Sequence, residues 1–398
     1  MIRLNDYRRI VGNDVVEKIR ETAEPLAGKH VVHVNSVYTG GGVAEILNRL
    51  VILFDELKIE SGWRIMKGSL TFFNLTKKFH NSLQGEKFRP TRKRIRIYEE
   101  ETERNAIMNH FDHDMVIIHD PQPLALIKHY EKSQPWIWRC HIDISRPYGP
   151  MWRFVKGYLK MYDGMIISMN KYKKKIGIPQ FIIRPSIDPL SPKNRILSET
   201  RYKRILSLNG IDTDKPILCQ ISRFDKWKDP EGVLKIFNQV RKKVDCQLVL
   251  LGDMAADDPE GPMIYHRIMK AIEKNGGDIK ALTIKSDLLV NALQRKSSVV
   301  IQNSKKEGFG LVVAEALWKE TPVVARRVGG IPLQVRNGKT GFLIGSKKEG
   351  IKACIKLIED RKLRERMGKQ GKEHVRKNFL ITRHIQDYIN LFGHYLKN

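Results

Sequence analysis

Eleven short apolar runs, none longer than eight residues, recur along the chain, and helix-like stretches separate many of them. Runs this short, rich in valine and isoleucine and lacking strict polar alternation, suit strands buried on both faces of a parallel sheet. Parallel strands in turn need crossover segments between them. In the first half the runs are HVVHVN (30–35), MVIIHD (115–120), WIWRCHI (136–142), GMIIS (164–168) and FIIRPS (181–186). In the second half they are PILCQIS (216–222), CQLVLLGD (246–253), ALTI (281–284), SVVIQNS (298–304), PVVAR (322–326) and GFLI (341–344).

A chain of 398 residues exceeds one ordinary core, so two domains are expected. The stretch RPSIDPLSPKNRILSET (184–200), with three prolines among polar residues, is the best linker. The reading is α/β throughout: a Rossmann-like domain over 1–190, a second over 200–375, and a C-terminal helix over 376–398 packing back on the first. Two doubly wound domains that face each other would set the carboxyl ends of their strands across one cleft, where ligands of such folds bind.

Composition narrows the partners. The net charge is +28, which favours anionic ligands such as nucleic acid, an anionic membrane face or a phosphorylated small molecule. The basic residues are spread along the chain, and the cluster KFRPTRKRIRIYEEETER (87–104) runs directly into acids, so a nucleic-acid arm is not expected. No apolar run reaches 18 residues, and the charged amphipathic start MIRLNDYRRIVGNDVVEKIRE lacks the apolar core of a secretory signal. Cys140, Cys219, Cys246 and Cys354 are scattered, never C-x-x-C. Buried reduced thiols and a cytoplasmic location follow as expectations.

Three loops carry candidate chemistry. In NSVYTGGGVAEILNRL (35–50) a strand ends at Asn35, and Gly40, Gly41 and Gly42 lead into a helix. Glycines let an anion approach backbone N–H groups at a helix N-terminus, although a plain flexible turn reads the same way. In ISRFDKWKDPEGVL (221–234), Arg223 and Lys228 follow a strand; they can clamp a diphosphate, or can be a solvated basic loop. In SKKEGFGLVVAEALWKETPVVARRVGG (304–330), Glu307 precedes a Gly-Phe-Gly turn and Glu315 falls inside the following helix. Glu307 can accept from sugar hydroxyls and Glu315 from a ribose; otherwise they are a surface acid and a helix-stabilising one. The sequence DHD (112–114) imitates a metal motif, but it precedes its strand at the end where ligands do not bind. His119 and His141 end neighbouring strand candidates without carboxylate or thiol company, so a hydrogen-bonded core or sugar-contact role is expected rather than a metal pair.

Taken together, E-x7-E with Gly-Phe-Gly inside it, the Arg/Lys pair five apart and the glycine-rich first loop resemble a retaining glycosyltransferase of the GT-B fold. The blocks HDPQPLALI, WIWRCHIDIS, RPSIDPLS, SRFDKWK, DDPEG and KEGFGLVVAEALWK are similar to archaeal and bacterial trehalose synthases, with trehalose phosphorylases close behind. The segment HVRKNFLITRHIQDYINLF (374–392) matches as well. The resemblance implies transfer of glucose from a nucleotide diphosphate glucose (UDP-, ADP- or GDP-glucose) to free glucose, giving α,α-trehalose with no cofactor and no metal. It implies that Arg223 and Lys228 hold the diphosphate and that Glu315 holds the ribose. Glu307 would hold the transferred glucose, with Gly308, Phe309, Gly310 and Leu311 beside the donor. The Gly40–Gly42 loop would approach the diphosphate, His141 would sit beside the sugar ring, and Asp120 and Asn35 would be sugar contacts. A homodimer is compatible with this reading; a membrane or nucleic-acid partner is not expected.

Two departures bear on the base of the donor. Lys306 stands where the family has arginine, and IKSDLLV (284–290) differs from the usual base-recognition segment. Trehalose phosphorolysis and transfer to another acceptor are the enzymatic alternatives. Outside enzymes, a basic nucleic-acid-binding protein on a degenerate fold is the alternative.

Overall fold

The computed structural model describes residues 2–38, 41–252, 260–276 and 278–396. The chain divides into two compact units, one running to Ser186 and resuming at Ile381, the other spanning Ile187–Leu380. Each is built on a six-stranded sheet whose neighbouring strands are all parallel.

In the first unit the strands are β1 (His30–Asn35), β2 (Glu60–Ile65), β3 (Met115–His119), β4 (Trp136–Arg139), β5 (Gly164–Ile167) and β6 (Gln180–Ile182). The second holds β7 (Ile217–Ile221), β8 (Gln247–Leu251), β9 (Ile279–Leu282), β10 (Val299–Gln302), β11 (Val323–Arg326) and β12 (Gly341–Ile344). All eleven apolar runs fall on strands. β2 was not legible: ESGWRI has one β-branched residue, and as an edge strand it stays partly exposed. β3, β4, β5, β7, β8 and β10 are buried at every position, which is why their sequences show no alternation.

The strand orders locate the sites. The first sheet runs β2-β1-β3-β4-β5-β6 and the second β12-β11-β10-β7-β8-β9. In the first, successive strands step outward in opposite directions from the β1/β3 pair; in the second, from β7/β10. At such a reversal the loops leave the strand ends in opposite directions and open a crevice, the usual ligand position of doubly wound sheets.

The last helix, Ile381–Leu396, belongs to the first unit, and the helix before it, Arg361–Asn378, to the second. The break between them is therefore at Phe379–Leu380 rather than at 376. The Ile381–Leu396 helix buries Ile385, Tyr388, Ile389 and Phe392. Tyr388 and Phe392 bring their rings to 6.2 and 5.2 Å from Phe54 of the helix Gly42–Glu56. No helix among the described residues is long and apolar enough to cross a membrane.

Phe392 is fully buried, so Phe392→Ala removes apolar area and leaves a cavity, at a cost of about 3–5 kcal/mol. The expected outcome is a lower denaturant midpoint for the first unit; an unchanged midpoint would show that this helix does not hold the unit together.

Candidate active site

In the second unit, the loop after β7 is built by two acids that sequence reasoning passed over. The Oδ1 of buried Asp225 accepts the backbone N–H groups of Trp227 (2.8 Å) and Lys228 (2.9 Å). Gln220 on β7 donates to the Lys228 carbonyl at 2.8 Å. Asp229 takes a left-handed conformation at the start of the helix Pro230–Val240, with φ 51°, a position that only a few residue types tolerate. Its carboxylate accepts from Asn303 at 2.7 Å and lies 3.1 Å from the Lys305 ammonium. The Lys305 N–H also donates to the Trp227 carbonyl at 2.6 Å, so the loops after β7 and β10 are joined through their backbones.

This frame brings Lys228 and Glu307 together. Lys228 Nζ donates to Glu307 Oε2 at 2.6 Å, and Ser304 Oγ (3.2 Å) and Gln302 Nε2 (3.3 Å) converge on the same oxygen. Glu307 is thus drawn inward by three donors rather than standing loose on a rim; its side chain is only 10% exposed. Arg223 is about half exposed and makes a looser approach, 3.7 Å, to Asp225. Lys306 lies over the Trp227 ring at 5.3 Å.

The Val-Gly-Gly loop at 328–330 has a steric role. At Gly329 a Cβ would lie 1.7 Å from the Glu307 carbonyl oxygen, and φ is 51°. The Gly330 N–H donates to the Gly308 carbonyl at 3.1 Å. These glycines let the loop press directly on the backbone of Glu307–Phe309. Gly310 starts the helix Leu311–Trp318 with φ 83°, and Leu311 is its first residue. Phe309 buries its side chain against Phe379, so only its backbone is available to a ligand. Glu315 is buried one turn into the helix, where Gln294 donates to it at 3.3 Å. Gln294 in turn accepts from Lys319 at 2.7 Å, and Asn194 accepts from the same ammonium at 2.7 Å. Burial pushes the Lys319 ammonium down to about 7, with Glu315 opposing the shift.

In the first unit the candidates gather at the ends of β1 and β3. Gly40 lies outside the described residues, as does part of the DDPEG block. Gly41, with φ 84°, precedes Gly42, the first residue of the helix Gly42–Glu56. Asn35, expected at a sugar, makes two bonds at the turn: its amide nitrogen donates to the Val37 carbonyl and its oxygen accepts from Trp63, both at 2.8 Å. Asp114 of the DHD motif accepts the His30 N–H at 2.8 Å, at the start of β1 and away from the carboxyl ends.

Asp120 follows β3 with φ 63°, an uncommon conformation for a residue other than glycine. Its N–H donates to the Arg139 carbonyl, its carboxylate accepts the His141 N–H, and its carbonyl accepts the Trp138 indole, each at 2.8 Å. These three bonds fix a carboxylate at the strand end. Burial pushes its carboxyl up to about 6, against the opposing His141 N–H and the Arg139 charge. His141 keeps a partly exposed ring, and its Nε2 lies 2.9 Å from His119 Nδ1. Burial and then Arg139 hold its imidazole well below the usual histidine range, hence neutral at pH 7. Among the other groups sequence reasoning missed, only Asp229 before Pro230 and the Gly329-Gly330 pair carried a local signal.

Two outcomes are expected. Gly329→Ala would collide with the Glu307 backbone, so activity falls sharply; full activity in the variant would mean that the loop does not set the position of Glu307. Because the folded state raises the Asp120 pKa, its contribution to stability is lost as pH rises through about 6. Asp120→Asn, which keeps the His141 bond, should be more stable than the parent at pH 8 by up to about 3 kcal/mol, and so unfold at a higher temperature. The gain should vanish near pH 4, and melting curves across that range check it.

Comparison with known proteins bears on the family and the fold. The family "Trehalose synthase, N-terminal domain" matches residues 33–174, and "Glycosyl transferases group 1" matches residues 203–374. The trehalose synthase of Thermococcus litoralis is 44% identical over 401 residues, covering 98% of this chain and 97% of that protein. That of Rubrobacter xylanophilus is 44% identical over 405 residues, covering 98% and 96%. The sucrose-phosphate synthase structure from Thermosynechococcus elongatus shares the fold, with a TM-score of 0.73 at 15% identity over 92% of this chain and 98% of that one. The two doubly wound sheets, the loops at their reversal points and a near-full-length likeness to trehalose synthases converge: this chain belongs to the trehalose synthase family of GT-B glycosyltransferases and is a hexosyltransferase.

Proposed function

We propose that the protein transfers the glucosyl group of a nucleoside diphosphate glucose to the anomeric hydroxyl of free glucose, with retention, giving α,α-trehalose without a metal ion. The observation that carries this reading is the Lys228–Glu307 pair at the β7/β10 reversal, with Arg223 on the same loop as Lys228. A cation and a carboxylate held side by side suit a ligand that joins a diphosphate to a sugar. The near-full-length likeness to trehalose synthases supports trehalose as the product.

The chemistry is a problem of charge. As the bond between C1 and the phosphate oxygen breaks, negative charge grows on the diphosphate and positive charge on the ring. Arg223, Lys228 and the N–H groups opening the helix Leu311–Trp318 supply preorganised stabilisation for the first. The acceptor oxygen bonds C1 on the face the phosphate leaves, and its proton passes to the departing phosphate oxygen. No enzyme carboxylate then has to attack. Glu307 accepts from hydroxyls of the transferred sugar, and Glu315 from the ribose.

Arg223 is the better residue to remove. Lys228→Ala would strand a largely buried carboxylate, which costs about 3–5 kcal/mol in its own right. Among the described residues Arg223 makes one loose ion pair, to Asp225, so Arg223→Ala should fold and lose about 100- to 1,000-fold in kcat. Incubating the parent with glucose and UDP-, ADP- or GDP-glucose, with and without a chelator, and reading the disaccharide by NMR tests the reaction. No α,α-trehalose from any donor, or loss of product with the chelator, would overturn the corresponding part of the proposal.

A further inference from the structure

Three histidines from three segments form one hydrogen-bonded chain inside the first unit. His33 Nδ1 on β1 lies 3.0 Å from His119 Nε2 at the end of β3. His119 Nδ1 lies 2.9 Å from His141 Nε2, just beyond β4. The His119 and His141 rings are nearly parallel, with an interplanar angle of 14°. His33 and His119 are buried, whereas His141 is partly exposed. At the inner end, His33 Nε2 is buried and has no hydrogen-bond partner among the described residues; the neighbouring rings are Phe54 and Tyr388. At the outer end, no protein group among the described residues bonds His141 Nδ1.

Burial favours the neutral form of all three imidazoles. Burial lowers each of them, and His119 also feels His141, His33, Arg139 and His384. A neutral imidazole carries one N–H, so His119 donates in one of its two bonds and accepts in the other. The chain therefore has a direction, and only two arrangements exist. If the protons run inward, His33 Nε2–H is a buried donor with nothing to bond. If they run outward, His33 Nε2 is an unpaired acceptor and His141 carries its proton on Nδ1. A buried N–H left without a partner is the rarer defect in folded proteins, which favours the outward direction.

We propose that His33 and His119 are positioning residues that fix the tautomer of His141, so that its Nδ1, which no described residue bonds, presents a proton to a hydroxyl of the sugar substrate. This rests on the glucosyl-transfer reading above. With the donor at His33 removed, His119 is free to reverse, and His141 then offers a lone pair where the sugar needs a donor. His33→Asn retains an N–H near the position of Nδ1 and restores the direction; His33→Phe does not.

Two measurements test it. In parent protein labelled with 15N-histidine, the imidazole shifts should report the Nδ1–H tautomer for His33, His119 and His141, assigned through single variants. An Nε2–H tautomer at His141 would overturn the proposal, and this reading needs neither a variant that folds well nor any activity. In kinetics, His33→Phe should lose about tenfold in kcat/KM for the nucleotide glucose, the worth of one hydrogen bond to the sugar. Its affinity for the nucleoside diphosphate alone should stay unchanged, and His33→Asn should recover most of the loss. Equal kcat/KM in His33→Phe and parent, or equal weakening toward the sugar-free diphosphate, would overturn it. A parent inactive with every nucleotide glucose but showing the stated tautomers would instead count against the transfer reading.

Discussion

The bond between Lys228 and Glu307 is the interaction on which the second unit's site depends. It joins two loops that leave adjacent strands, β7 and β10, whose following connections run in opposite directions. Both side chains are largely buried, and such a pair adds little net stability, because desolvating two charges offsets much of their attraction. Its effect is therefore better sought in position than in stability. With Gln302 and Ser304 on the same carboxylate oxygen, the ammonium is fixed in place before any ligand arrives. A cation held ready need not reorganise when negative charge appears, which is where electrostatic catalysis gains most.

How much of this was readable follows from the range of each contact. Strands buried on both faces announce themselves as unbroken apolar runs, and the loops after them are local by construction. The order of motifs along the chain therefore already placed Arg223, Lys228, Glu307 and Asp120 after strands. β2 escaped because an edge strand with exposed positions needs no such run. What holds the side chains escaped because partners lie far apart in sequence: Lys228 and Glu307 are 79 positions apart, and His33 and His119 are 86 apart. Gly329 shows the same limit from the steric side. Its sequence shows a flexible loop, whereas its necessity comes from a carbonyl oxygen 22 residues earlier that leaves no room for a Cβ.

The first unit solves a different electrostatic problem. Arg139 is wholly buried, and none of its side-chain nitrogens has a partner among the described residues. A guanidinium stays charged even there, so its field acts on everything nearby. It opposes protonation of His119 and His141 and moderates the rise at Asp120. Burial alone would keep the imidazoles neutral; the buried cation adds a second reason, and it cannot be titrated away in the range where the enzyme works.

The proposed reaction asks for two different kinds of group. A departing diphosphate gathers negative charge and would be served by fixed cations, the role proposed for Arg223 and Lys228. A sugar ring losing that group gathers positive charge, so a protonated histidine against it would raise the barrier by simple repulsion. A neutral imidazole can still donate one directed hydrogen bond without adding charge. On the proposed reading, a neutral His141 and a proton on its Nδ1 would be two halves of one requirement: burial and Arg139 favour the first, and the chain through His119 to His33 would set the second.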